Sequence, residues 1–207
     1  MTRTSLTSLA NQVPPPLDRI VVIGSSCAGK TTFATRLATV LGQPTTDLDE
    51  LFWAPGWQAK PLQELRRLTQ AVASSERWVV SGNYSDVRAI LWPRATAVIW
   101  LNYSLAVILW RALTRTVRRV ATRETLWHGN RESFSRSFLS RNSILVWVAS
   151  TFHPRRRQFG ELRAANSYPH LSWIEFNRPV DADRFLRLLG QPSDPAASTT
   201  TRMRSEQ

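Results

Sequence analysis

The segment from Arg19 to Thr32 constrains the fold of this chain most strongly. It reads RIVVIGSSCAGKTT: a run of branched apolar residues, a loop bounded by glycines, and the start of a helix. An unbroken branched apolar run is typical of a short buried strand. The residues from Gly24 to Thr31 fit the pattern G-x-x-x-x-G-K-S/T at every fixed position. Since the strand–loop–helix context of that pattern is also present, the segment predicts a phosphate-binding loop.

The residue types of this loop suit a triphosphate. Glycines permit backbone angles that are closed to other residues, so successive N–H groups can turn toward a phosphate. The following helix adds unpaired amides and the positive end of its dipole. Lys30 would reach the β- and γ-phosphates of ATP, and the Thr31 hydroxyl would ligate Mg²⁺. The predicted phosphate-binding residues are Gly24, Ser25, Ser26, Cys27, Ala28, Gly29, Lys30, Thr31 and Thr32.

Length and composition predict one cytoplasmic domain. The 207 residues are 43% hydrophobic, which suits a single globular core. We expect flexible ends at 1–18 and 191–207, with the domain at 19–190. No apolar run reaches the ~18 residues of a membrane span, and no secretory signal is evident. Cys27, the one cysteine, excludes an internal disulfide; we interpret it as a small loop residue, with a reactive thiol as the alternative.

Two acidic residues end a second predicted strand, at 44–49. Ligands gather beyond the carboxyl ends of parallel strands, and alternate strand residues point to the same side. Asp47 and Asp49 would therefore both face the phosphate loop. One carboxylate can hold Mg²⁺ through water, and the other can bind or deprotonate an acceptor hydroxyl. The alternative is that they cap a helix that begins near Glu50.

A third predicted strand, 77–81, leads into a polar turn. Ser81 stands where a magnesium-binding aspartate would be sought, so the metal would rely on Thr31 and Asp47. The candidate acceptor contacts at this edge are Asn83, Tyr84 and Arg88. The aromatic segment 52–57 is expected to form a flap over the acceptor, although aromatic side chains of this kind often only pack.

Arginine is concentrated between 111 and 163, where twelve Arg face three Glu; this +9 is most of the chain's net +12. A helix beginning after Ser104 would bury the apolar face Leu105, Leu109, Leu113, Val117 and Val120. Arg111, Arg115 and Arg118 would share the opposite side, with Arg119 beside them. Their guanidinium groups suit transferring phosphoryl oxygens. The alternative is a surface for nucleic acid.

The segment 122–160 is predicted to be a partly helical lid with a small core of its own, and residues 155–157 to be solvated. A fourth strand at 97–101, a fifth at 171–176 and a final helix through Leu189 complete a β–α alternation. Such alternation favours a mainly parallel sheet in one domain.

Four stretches together resemble the adenylate-kinase-like P-loop proteins labelled DNA topology modulation (FlaR-related) proteins. They are the phosphate loop, Asp47-x-Asp49 with Leu51-Phe52-Trp53, Trp78-Val79-Val80-x-Gly82-Asn83-Tyr84, and Leu126-Trp127-x-Gly129-Asn130-Arg131-Glu132. The resemblance extends to the wider nucleotide and shikimate kinase group, which implies an α/β three-layer P-loop NTPase fold with a five-stranded sheet of order 2-3-1-4-5 and an arginine-rich helical lid. It also implies ATP and Mg²⁺, with Thr31 and Asp47 at the metal and Lys30, Asp49, Arg119 and Arg123 as catalytic groups. Arg131 would join the acceptor contacts.

Two functions follow from the sequence. The first is phosphotransfer from ATP to a nucleotide or a small hydroxyl compound. The second is a nucleic-acid-associated regulator that uses ATP as a switch. The Arg-rich quarter and the pI near 11.4 favour the second function, whereas the phosphate loop and the acidic pair favour the first. A DNA-reading helix is not evident, so the sequence favours the kinase.

Overall fold

The computed structural model of the protein describes residues 16–122 and 144–191. The strands are β1 (Arg19–Gly24), β2 (Thr45–Asp47), β3 (Trp53–Ala54), β4 (Gln58–Ala59), β5 (Trp78–Ser81), β6 (Ala97–Leu101) and β7 (Ser172–Phe176). The helices are α1 (Lys30–Leu41), α2 (Leu48–Phe52), α3 (Leu62–Ser74), α4 (Arg88–Leu91), α5 (Leu105–Thr122), α6 (Ile144–Ala164) and α7 (Pro179–Leu189), with 3₁₀ turns at Pro55–Trp57 and Ser85–Val87.

Five strands form a parallel sheet in the order β2-β5-β1-β6-β7. Counted along the chain without the short β3–β4 hairpin, this is the predicted order 2-3-1-4-5, which is confirmed. β1 lies at the centre, where Ile20 pairs with Val79 of β5 and with Ala97 of β6. The carboxyl end of β1, where the phosphate loop begins, is therefore flanked by the ends of β5 and β6.

Both faces of the sheet are covered, which explains the continuous apolar sequence of β1. Ile20 and Val22 point into a core with α1, α5 and α7, whereas Val21 and Ile23 point into a second core with α2, α3 and α4. All four are at most 1% exposed. The chain is thus a three-layer α/β protein of the P-loop NTPase type.

The second strand is shorter than predicted. β2 ends at Asp47 because the chain turns into α2 at Leu48, and the Asp47 side chain accepts a hydrogen bond from the N–H of Asp49 at 2.9 Å. The expectation that the strand continues to Asp49 is wrong, and the capping alternative is correct for Asp47.

The buried face of α5 also differs from the prediction. Leu113 and Val117 are 37% and 54% exposed, whereas Ile108, Ala112 and Thr116 are fully buried. Small residues let a helix approach its neighbours closely, and the Thr116 hydroxyl is satisfied by donating to the Ala112 carbonyl at 2.8 Å. The side chain of Val120 lies outside the described set.

The described part of the predicted lid, α6, has no core of its own. Phe152 packs into the core that contains Ile20, and Phe159 packs into the core that contains Val21. Phe159 also contacts Trp100 of β6, with ring centroids 5.9 Å apart. The remainder of the predicted lid, 123–143, lies outside the described residues, as do most of the predicted flexible ends. Within 16–122 and 144–191, no helix has the length and apolarity needed to cross a membrane.

Candidate active site

The phosphate loop connects β1 to α1 and is shaped by its two glycines. Gly24 has a φ of +151°, and a Cβ there would lie 2.7 Å from the Leu101 carbonyl oxygen of β6. Gly29 precedes α1 in the left-handed region at a φ of +87°. Both positions therefore require glycine for steric reasons. The loop and the first turn of α1, from Ser26 to Phe33, line a cleft of about 1160 Å³.

Lys30 is half-buried in this cleft. Its Nζ donates to the Ser25 carbonyl at 3.2 Å, so the side chain folds back across the loop. Burial lowers the pKa of Lys30; Asp49 and Asp47 oppose this effect, and the positive charge of Arg155 adds to it. A bound phosphate would supply the counter-charge that this ammonium group needs.

The two predicted metal ligands contact each other directly. The Thr31 hydroxyl donates to Asp47 Oδ2 at 2.5 Å, while Asp47 Oδ1 holds the start of α2. Burial raises the pKa of Asp47, the Thr31 hydrogen bond opposes the shift, and the Asp49 charge reinforces it. A hydroxyl and a carboxylate at the mouth of a phosphate loop fit Mg²⁺, because this ion prefers oxygen ligands.

Asp49 lines the cleft and is held by a tyrosine. The Tyr84 hydroxyl donates to Asp49 Oδ1 at 2.7 Å. Burial, followed by the Asp49 charge, raises the pKa of Tyr84, so the phenol remains a neutral donor. The structure thus brings together three predicted groups, Lys30, Asp49 and Tyr84, around one space.

Asn83 lines the cleft, where it was predicted to contact the acceptor, and it also holds the phosphate loop. Its Nδ2 donates to the Gly24 carbonyl, and its Oδ1 accepts from the Gly24 N–H at 3.2 Å. The side chain touches the cleft, but both of its polar ends hold the first residue of the phosphate loop. Its role is therefore to position that loop.

Arg88, which was also predicted to contact the acceptor, is held against an aromatic ring. Its guanidinium carbon lies 5.2 Å from the Trp92 ring centroid, and burial lowers the pKa of Arg88. It is not among the described residues that line the cleft. The prediction placed it at the active edge from its position after β5, but Arg88 follows the 3₁₀ turn at Ser85–Val87 and lines a second, small cavity together with Asn83 and Tyr84.

Arginines from three helices line the cleft, and Arg36 comes from α1. α5 supplies Arg111, Arg115 and Arg118, as predicted from their spacing, and α6 supplies Arg155. Arg111 donates to the Ala28 carbonyl at 2.6 Å and lies over the Tyr103 ring, with its Cζ 5.1 Å from the centroid. Of the predicted catalytic arginines, the side chain of Arg119 and the whole of Arg123 lie outside the described residues, as does Arg131.

Arg155 is the site residue that the sequence analysis missed. It was grouped with Arg156 and Arg157 as solvated, yet only those two are exposed. Val148, Phe152, Arg155 and Phe159 recur at three- and four-residue steps along α6, and the three apolar members are buried. This helical periodicity was the signal that could have separated Arg155 from its neighbours.

Several solved structures are similar to this chain. The gluconokinase from Sinorhizobium meliloti 1021 has 18% identity and a TM-score of 0.48, and the match covers 84% of this chain and 89% of that one. The shikimate kinase from Bacteroides thetaiotaomicron has 19% identity and a TM-score of 0.47, over 83% and 96%. The shikimate kinase from Aquifex aeolicus vf5 has 17% identity and a TM-score of 0.48, over 83% and 95%. No protein-family model and no curated protein match the chain, so the resemblance to the FlaR-related proteins stays a prediction.

Proposed function

We propose that this protein is a phosphotransferase that moves the γ-phosphoryl group of ATP to a hydroxyl acceptor. The observation that carries the proposal is that a single cleft joins the phosphate loop and Lys30 to the carboxylate of Asp49. Phosphoryl transfer depends on positioning and on neutralising charge. Both requirements are met by residues that line this cleft.

The donor would be bound by the phosphate loop. The N–H groups at the start of α1 and the ammonium group of Lys30 would face the β- and γ-phosphates. Thr31 and Asp47 would hold Mg²⁺, which when bound neutralises phosphate charge. The cleft arginines, Arg111, Arg115, Arg118 and Arg155, would bind phosphoryl oxygens, because a guanidinium group forms paired hydrogen bonds to phosphate.

Asp49 would receive the acceptor hydroxyl. The hydroxyl oxygen forms a bond to the γ-phosphorus as the bond from that phosphorus to the bridging oxygen breaks, with the electron pair leaving on ADP. The proton passes to the Asp49 carboxylate. Because Tyr84 donates to Oδ1 of Asp49, it fixes the orientation of this base.

Replacement of Lys30 tests the proposal. Lys30→Ala should weaken Mg·ATP binding at least tenfold in calorimetry and abolish ATP-dependent phosphorylation, with unchanged circular dichroism. The chain offers a matched control, because its other lysine, Lys60, lies 3.9 Å from Glu64 and outside the described cleft lining. Lys60→Ala should behave as wild type. Equal Mg·ATP affinity in all three proteins would refute the proposal.

Nucleic-acid binding is the weaker candidate. The described part of the basic segment turns four of its arginines into the cleft, which reduces the charge available to an outer partner. Binding to duplex DNA that disappears between 50 and 200 mM salt would reflect charge alone. Sequence preference that persists at the higher salt, together with unchanged binding by Lys30→Ala, would favour the regulator.

A further inference from the structure

The acceptor part of the cleft is aromatic. Phe52, Trp53, Trp57 and Tyr84 line it together with Asp49. The ring centroid of Phe52 lies 4.7 Å from that of Trp53 and 5.0 Å from that of Tyr84. Trp53 and Trp57 are 5.7 Å apart with their planes at 80°. The Phe52–Trp53 and Trp53–Trp57 pairs pack edge-to-face and the Phe52–Tyr84 pair is tilted at 45°, while each ring stays only half-buried.

These rings come from three short elements that line the cleft together with Asp49. Phe52 ends α2, and Trp53 and Trp57 belong to the β3–β4 hairpin and its 3₁₀ turn. Tyr84, from the turn after β5, contacts Phe52 with its ring and Asp49 with its hydroxyl. A molecule whose hydroxyl reaches Asp49 would therefore lie against aromatic surface.

The charges around this part of the cleft do not suit an anionic acceptor. The described cations of the cleft, Lys30, Arg36, Arg111, Arg115, Arg118 and Arg155, come from α1, α5 and α6. Arg88, which could have attracted an anion, stacks on Trp92 instead. The charged groups that act on Tyr84 are Asp49, Asp47 and Arg155. A carboxylate or a phosphate placed there would be repelled by the two carboxylates, which offsets its attraction to Arg155.

A cationic acceptor fits less well than an uncharged one. Lys30 lies within electrostatic reach of both Asp49 and Arg155, so a further positive charge between them would meet two cations as well as two carboxylates. Flat uncharged rings gain from stacking on Trp and Tyr without this repulsion.

We propose that the acceptor is an uncharged hydroxyl compound that carries a flat ring. This inference rests on the phosphotransferase function proposed above. The ring lies against Trp53 and Trp57, and the hydroxyl meets Oδ2 of Asp49, because Tyr84 engages Oδ1. The bond changes and the proton transfer to Asp49 are those already described.

The first test compares acceptors that differ in charge. The full chain is loaded with Mg²⁺ and a non-hydrolysable ATP analogue, and nucleosides, pyridoxine, nucleoside 5′-monophosphates and hydroxylated carboxylic acids are titrated by calorimetry. At least one uncharged ring alcohol should bind tenfold more tightly than its phosphorylated counterpart, and with ATP it should be phosphorylated in a product assay. Equal or tighter binding of the anionic compounds, or no binding by any uncharged ring alcohol, would overturn the inference.

The second test removes the ring faces. Trp53→Leu and Trp57→Leu keep apolar bulk, and each should raise the KM for the ring alcohol about tenfold while leaving the Kd of the ATP analogue unchanged. Trp57→Phe should restore part of the loss. Trp110→Leu is the matched control, since Trp110 is 66% exposed and lies outside the described cleft lining. An unchanged KM in both hairpin variants would also overturn the inference.

The two proposals fail in different ways. If wild-type protein does not bind the Mg²⁺-loaded ATP analogue, the phosphotransferase function itself is refuted. If the analogue binds and anionic acceptors are preferred, only the acceptor class is wrong.

Discussion

The donor and acceptor halves of the cleft are built in different ways. The donor half is a contiguous loop, Gly24 to Thr31, whose geometry is set by glycines and by the main chain. The acceptor half is assembled from α2, the β3–β4 hairpin and the turn after β5, and depends on side chains. The first can be recognised from one stretch of sequence, whereas the second exists only after folding. In the proposed reaction, donor binding is thus conferred by one local segment and acceptor choice by tertiary packing.

The largest effect is expected at the point where the two halves meet. Asp49→Asn should lower kcat about a thousandfold, or about 4 kcal/mol, because the acceptor hydroxyl loses its base. The Kd of Mg·ATP should stay within a factor of a few of wild type. Glu50→Gln, at the exposed neighbouring position, should retain full activity. If Asp49→Asn instead weakened only ATP binding, Asp49 would belong to the donor half.

A comparison of Arg155 with its exposed neighbour distinguishes the charge in the cleft from the charge on the outer surface of α6. Arg155→Ala should reduce kcat about a hundredfold, the usual cost of losing one donor to transition-state charge. Arg156→Ala changes the same residue type one position along, where the side chain is exposed, and should have no effect. Steady-state kinetics of the two proteins decide the matter, since equal losses would mean that net charge alone is responsible.

Asn83 tests how firmly the donor loop is held. Asn83→Ala removes two hydrogen bonds to Gly24, and we expect a loss of about 1–3 kcal/mol in the free energy of unfolding. Thermal unfolding should show a Tm lower by several degrees. A Tm equal to that of wild type, with weakened ATP binding alone, would show that Asn83 acts on the ligand and not on the loop.

The smallest expected effect is at Asp47, where the substitution should raise the Tm instead of lowering it. Its pKa is raised in the folded state, so its contribution to stability is largest below the unfolded pKa and is lost as the pH rises through the folded pKa. At neutral pH the charged carboxylate therefore destabilises the fold. Asp47→Asn should raise the Tm of the Mg²⁺-free protein at neutral pH by a few degrees at most, and should abolish the further rise that Mg·ATP gives to wild type. A lower Tm at neutral pH and a higher one near pH 4 would reverse the assignment.

The sequence predicted the central strands and the phosphate loop because local patterns determine both, whereas the sheet order came from the family resemblance. Branched apolar runs identify β1, β5 and β6, and the glycine spacing identifies the loop. The prediction from sequence was wrong at positions where a short element changes the direction of the chain. The helical turn at Leu48 ended β2, and the 3₁₀ turn after Tyr84 carried Arg88 away from the cleft.

Helix faces were predicted unevenly for a related reason. On α5 the large residues Leu113 and Val117 suggested the core, but the close approach of neighbouring elements selected Ala112 and Thr116. On α6 three consecutive arginines were all predicted to be solvated, although one of them, Arg155, lines the cleft. Hydrophobicity indicates which residues can be buried, whereas the space between elements decides which of them are.

Adjacent residues after β5 hold the two halves of the cleft at a fixed separation. The Asn83 side chain forms hydrogen bonds with Gly24, the first residue of the phosphate loop, and the Tyr84 hydroxyl donates a hydrogen bond to Asp49. In the proposed reaction, one dipeptide therefore ties the base to the loop that binds the transferred phosphate. Exchanging residues 53–59 would change the proposed acceptor surface while keeping the hydrogen bonds of Asn83 and Tyr84, which gives a way to alter the proposed acceptor choice.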